Sequence, residues 1–151
     1  MSTNSGINLE RALIGPGSEL TGAADVVFQR FRVAIADIIA GKVLLAAIAG
    51  YKYRMVSCRA IAIGADATTV TTVDILGTQS SASVKLAAFG QASLTRSAVV
   101  AAGNSGGTVL ADGASFQPCD ANTAITIGQT GSNIAGCTSV DILIDYTVEA
   151  A

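Results

Sequence analysis

Residues 139–149 read SVDILIDYTVE. Val140, Ile142, Ile144, Tyr146 and Val148 occupy alternate positions, and Asp141, Asp145, Thr147 and Glu149 fall between them. A period of two places the first set on one face of a β-strand, toward a core, and the second set on the other. This stretch sets the reading of what precedes it.

Upstream, short apolar runs recur between turn signals about every ten residues, as in an all-β sandwich or barrel. VVFQRFRVAIADI (26–38) alternates, with Phe31, Val33 and Ile35 on one side and Arg30, Arg32 and Ala34 on the other. KVLLAAI (42–48) follows Gly41, and Ala49-Gly50 turns into the long strand YKYRMVSCRAIAI (51–63). Uninterrupted alternation there puts Tyr51, Tyr53, Met55, Ser57, Arg59, Ile61 and Ile63 on one face. TTVTTVDIL (68–76) is dense in β-branched residues, which suit a pleated surface. GTQSSAS (77–83) reads as a loop, VKLAAF (84–89) as a strand, and 90–108 as a connection with a short strand. VLADGASFQ (109–117) turns at Asp112-Gly113, TAITIGQ (123–129) is a strand, and GSNIAG (131–136) turns again. The expectation is one antiparallel β-sandwich or jelly-roll-like barrel of eight to nine strands over 25–151. A helix across 37–49 is the competing reading, since Ala and Leu favour it and Gly41 and Gly50 oppose it.

Residues 1–24 differ in composition. They are rich in Gly, Ser, Thr and Asn, include the turn-forming GPGS at 15–18, and carry isolated apolar residues: Ile7, Leu9, Leu13, Ile14 and Leu20. This pattern suits an extended arm that orders on a partner and inserts apolar side chains into it, so these five are the candidate contact residues.

The chain has 151 residues, enough for one domain with a real core. Half are hydrophobic and only 13% are charged, against about 25% in an average soluble domain. So few charges imply either a membrane span or extensive surface hidden in an assembly. The one candidate span, 33–51, contains Asp37 and Lys42, each costing about 3 kcal/mol near a bilayer midplane, and the expectation is no membrane. The N-terminus shows no basic region followed by an apolar core, so no secretory signal is expected. Net charge is −2 and the basic residues are scattered, which gives nucleic-acid binding no support.

GNSGG at 103–107 differs by one residue from the GDSGG loop around the nucleophile of trypsin-like proteases. A serine needs a base to become a nucleophile, and the chain contains no histidine. Lys42, Lys52 and Lys85 form no Ser-x-x-Lys arrangement, so Ser105 reads as part of a turn and no enzyme is expected. Asp141 and Asp145 lie about 13 Å apart along a strand, too far for a glycosidase pair, and read as solvated charges. Asp66, Asp74, Asp112 and Asp120 read as turn or strand-end residues. Cys58, Cys119 and Cys137 read as free, partly buried thiols, although spacing alone also allows a Cys119–Cys137 bridge. No metal site or cofactor is expected. Tyr51 and Tyr53 read as core packing, with an aromatic sugar-binding surface as the alternative.

The order of pieces resembles small β-sandwich structural proteins of tailed bacteriophages, the head decoration type. The residues that carry the resemblance are GYKYRM (50–55), ANTAITI (121–127), the glycine-rich 131–136 and YTV (146–148), within a span of 40–149. These are signatures of turns and strands and bring no catalytic residue. The resemblance implies a capsid decoration (cement) protein, a homotrimer on the major capsid protein at the capsid exterior of the virion. The alternative it leaves is a tail or head fibre component that recognises a host surface glycan.

Overall fold

The computed structural model describes residues 25–151, so the proposed arm and its five apolar residues lie outside the described residues. Nine strands occur among the described residues: β1 (Val27–Ala34), β2 (Val43–Leu45), β3 (Tyr51–Ile63), β4 (Thr68–Gln79), β5 (Ala82–Gly90), β6 (Val100–Ala101), β7 (Gly107–Thr108), β8 (Ile125–Ala135) and β9 (Ser139–Ala150). They form two packed antiparallel sheets, ordered β1-β9-β3-β6 and β2-β8-β4-β5-β7. With the two-residue β7 set aside, the remaining eight strands run 1-8-3-6 in one sheet and 2-7-4-5 in the other. This is the jelly-roll order, in which successive strands alternate between sheets except where β4 and β5 pair as a hairpin. The expected all-β sandwich is therefore what the chain builds.

The core is the space between the two inner faces. Val140, Ile142 and Ile144 of β9 meet Val73 and Ile75 of β4, Leu86 and Phe89 of β5 and Ile127 of β8, each at most 1% exposed. Full burial of each such side chain contributes about 1.5–3 kcal/mol. One end of the sandwich is closed by the stretch between β7 and β8. There Cys119 N–H donates to Tyr53 O (2.7 Å), Asn122 N–H to Tyr51 O (2.9 Å) and Asp120 N–H to Thr78 O (2.8 Å). That stretch therefore ties β3 to β4 and covers an edge of β3 that would otherwise be open.

Four local readings from sequence need correction. The first strand stops at Ala34, and Ile35–Ala40 forms a short helix, α1, that packs Ile38 into the core. Gly41 ends it in the left-handed conformation (φ 81°), donating its N–H to Asp37 O and Ile38 O. Neither the strand through residue 38 nor the helix through 49 is right, because this glycine cap splits the segment.

In β3 the register slips between Met55 and Ser57. Tyr53 and Met55 face the core before the slip, and Cys58, Ala60 and Ala62 after it. A bulge inserts one residue and inverts the alternation beyond it, so Ser57, Arg59, Ile61 and Ile63 face outward.

The loop expected at 77–83 is only a two-residue turn, Ser80-Ser81, with both φ values positive (51° and 63°). Such turns usually take Asn-Gly. Here the Asp120 carboxylate accepts both the Ser80 N–H (3.1 Å) and the Ser81 N–H (2.7 Å), which holds two serines in that conformation.

The turn expected at 131–136 is mostly strand: β8 continues to Ala135 through a register irregularity at Gly131, and the chain reverses at Gly136. Gly136 has φ 84°, and a Cβ there would lie 2.6 Å from Asp66 O. Gly136→Ala is expected to destabilise the fold by about 1–3 kcal/mol, from left-handed strain with no room to relax. Denaturant unfolding checks this, and a loss under about 0.5 kcal/mol would contradict it.

Candidate interaction face

The outer face of the β1-β9-β3-β6 sheet gathers much of the chain's charge. β9 is central, and its odd-numbered residues point outward between β1 and β3. The register sets Arg32 and Ile61 beside Asp141, Arg30 and Arg59 beside Leu143, and Phe28 and Ser57 beside Asp145. Arg54 lies beside Thr147 and Lys52 beside Glu149. Five of the chain's nine basic residues and three of its eleven carboxylates occupy this one face.

The three carboxylates are already engaged. Arg32 grips Asp141 through Nε to Oδ1 (2.8 Å) and Nη2 to Oδ2 (3.0 Å). Arg54 grips Glu149 in the same way (2.6 and 3.2 Å), and the Thr147 hydroxyl adds a third donor at 3.0 Å. Bidentate charge-assisted pairs of this kind fix geometry as well as add energy. The Ser57 hydroxyl donates to Asp145 Oδ2 at 2.7 Å. Asp141 is only 4% exposed, because the arginine stems of β1 lie over it. It is therefore not the solvated charge expected from sequence.

The cations are not all engaged. Arg30 Nη1 stands 3.8 Å from Asp141, a carboxylate that Arg32 already holds. Arg59 makes no ion pair among the described residues, and its guanidinium carbon lies 6.0 Å from the centre of the Phe28 ring. That distance is at the outer limit of a cation–π contact. Phe28 (53% exposed) and Val56 (42%) add apolar surface around them. Two arginines without a carboxylate of their own, beside exposed apolar side chains, make this the candidate interaction face.

The other sheet presents a contrasting outer face. Asp74 is 2% exposed in the middle of β4, not at a turn or strand end. Its carboxylate accepts from the hydroxyls of Thr72 and Thr130, each at 2.6 Å, and Lys85 Nζ lies 3.5 Å away while donating to Thr130 at 2.7 Å. Every strong polar group in this cluster has a partner, so it is structural. Asp66 accepts from Arg96 N–H at 2.8 Å, and Asp112 occupies the left-handed turn expected for it (φ 56°).

Ser105 sits exposed in the turn between β6 and β7, closed by hydrogen bonds from Gly107 N–H to Asn104 O (2.9 Å) and from Gly103 N–H to Gly107 O (2.7 Å). Tyr53 is buried, donates its hydroxyl to Ala46 O (2.6 Å) and meets Tyr146 edge-on at 5.6 Å. The tyrosine is thus core packing, and the sugar-binding alternative loses its aromatic there.

All three cysteines are free and buried. Cys119 packs against Gly77 near one end of β4, and Gly136, next to Cys137, packs against Thr68 at the other. Thr68 and Gly77 are nine positions, about 30 Å, apart along β4, so the spacing-based bridge cannot form. Burial pushes the Cys58 thiol up to about 12 and raises the other two thiols as well.

No group of three or more metal-capable side chains occurs among the described residues. No described helix is long and apolar enough to cross a membrane. No family model, curated protein or solved structure matches the chain.

Sequence reading placed the contact residues in 1–24 and missed this face. The signal was present in the alternation of Arg30 and Arg32 and of Asp141 and Asp145, but only the β1–β9 register brings them together.

Two predictions follow from these contacts. Hydrogen bonds from Arg32 and Arg54 hold the Asp141 and Glu149 carboxyls below their ordinary range. A carboxylate with a depressed folded pKa contributes stability that is full above its unfolded value, about 4, and is lost as pH falls through the folded value. Arg32→Gln is therefore expected to move the acid-unfolding midpoint to higher pH, with little change in the shape of the curve above pH 6. An unchanged midpoint in a circular-dichroism pH titration would contradict this. Asp74→Ala leaves two hydroxyls without their acceptor and is expected to cost about 1–3 kcal/mol in denaturant unfolding. A neutral result would show that the cluster does not hold the sheet.

Proposed function

We propose that the chain is a structural virion protein, a capsid decoration (cement) protein that binds the outer surface of a bacteriophage head as a homotrimer. The observation that carries this reading is the jelly-roll strand order, an architecture used in viral shells as well as in lectins and cupins. Fold alone does not fix function, so two further features support the choice. The chain is 13% charged, and a protein that buries several faces against neighbours tolerates such a surface. Its free arginines and exposed apolar residues share one sheet face, where a neighbour can cover both. The sequence resemblance over 40–149 points the same way.

The proposed activity is thermodynamic. A protein that binds only the assembled shell shifts the equilibrium against disassembly, by about 2.7 kcal/mol per site at a free concentration a hundredfold above its dissociation constant. Particles lacking the protein are expected to lose their contents at lower temperature, and re-addition of purified protein is expected to restore the wild-type value. Immunogold labelling is expected to decorate the head. Label on tail or fibres would transfer the reading to host-surface recognition, and particles without label would reject both.

A further inference from the structure

We propose that the outer face of the β1-β9-β3-β6 sheet is the docking site for residues 1–24 of a second copy of this chain, so that copies are held together by exchanged N-terminal segments. The inference goes beyond the decoration reading and holds or fails wherever in a particle the protein sits.

Three observations carry it. The first is charge. Asp141, Asp145 and Glu149 are each engaged within the face, while Arg30 shares a carboxylate that Arg32 holds and Arg59 has none among the described residues. A carboxylate-bearing occupant completes both. Residues 1–24 carry Glu10 and Glu19 against the single Arg11, and Asp25 follows at once.

The second is apolar surface. Phe28 lies beside Asp145, one outward row from the two arginines, Val56 is the bulge residue just before Ser57, and both are half exposed. Residues 1–24 supply isolated apolar side chains at Ile7, Leu9, Leu13, Ile14 and Leu20, with carboxylates among them. An extended segment that alternates anchors with charges matches a face that alternates apolar side chains with arginines.

The third is reach and origin. Twenty-four residues extend to about 80 Å at most, whereas a domain of this size has a radius of gyration of about 14 Å. A segment of that length is long enough to reach a neighbouring copy. It joins the sheet at Val27, and Phe28 is the second residue of β1. To cover Phe28 from its own chain it would have to double back over the strand it leads into. A neighbour's segment needs no such reversal. Exchange of this kind, each copy giving a segment and receiving one, closes a ring of identical contacts.

The test uses the full chain. The three native cysteines are buried, so an added pair is the reactive one. Leu13→Cys with Val56→Cys, treated with a short bismaleimide, is expected to give species of two or more chains on a denaturing gel. Adding Arg30→Glu and Arg59→Glu is expected to abolish that crosslink and to weaken self-association at least tenfold by sedimentation. Adding Glu10→Lys and Glu19→Lys to the same chain is expected to restore both, which loss of folding could not do. Arg30→Gln with Arg59→Gln, which removes charge without reversing it, is expected to give a smaller loss in the same direction. Crosslinks confined to single chains, or multi-chain crosslinks indifferent to the arginine substitutions, would overturn the proposal.

Discussion

The structure depends on β9 satisfying two neighbours at once. It lies between β1 and β3, so its backbone is committed on both edges. Its even-numbered residues form the floor of the core, and its odd-numbered residues seat the carboxylates that organise the outer face. A one-residue slip would place Asp141 and Asp145 in the core and Ile142 and Ile144 in solvent. The Arg32–Asp141 and Arg54–Glu149 pairs guard the register from the outside, as Val140, Ile142 and Ile144 do from the inside. The last strand thus links the two faces of its sheet, and the first strand has no partner until the last has formed. The Arg32–Asp141 contact spans 109 positions of the sequence. Loops that long must close before the contact stabilises anything, which places this fold among slow-forming topologies.

What could be read from sequence was the part governed by local periodicity. The all-β class, the alternation in β9, the turn at Asp112-Gly113 and the burial of Tyr53 all follow from neighbouring residues. Errors arose where one residue interrupted a period. The bulge after Met55 inverted the second half of β3, and Gly41 converted a strand continuation into one short helix. Ser80-Ser81 gave no turn signal, because the group that stabilises it is Asp120, on a different segment. The interaction face was hidden for a related reason. Arg30 and Arg59 look scattered along the chain, and they become neighbours of one leucine only through a register that sequence does not state.

The two outer faces divide the work. On the β2-β8-β4-β5-β7 sheet, the polar cluster around Asp74 is complete within the chain and asks for nothing more. On the other sheet, three carboxylates are matched and two guanidiniums are left over. A surface that is self-satisfied on one side and under-neutralised on the other has a direction. The two faces of this small domain therefore offer a neighbour different chemistry, unpaired guanidiniums beside exposed apolar side chains on one and a closed polar cluster on the other.

The buried thiols have a separate consequence. Burial pushes the Cys58 thiol up to about 12, which suppresses the reactive thiolate at neutral pH. Cys119 and Cys137 are buried too, and some 30 Å of β4 separates the ends of the strand at which they lie. A Cys119–Cys137 bridge therefore has no geometry to follow, and burial shields all three thiols from attack from outside. The sandwich is held together with no disulfide among its three cysteines.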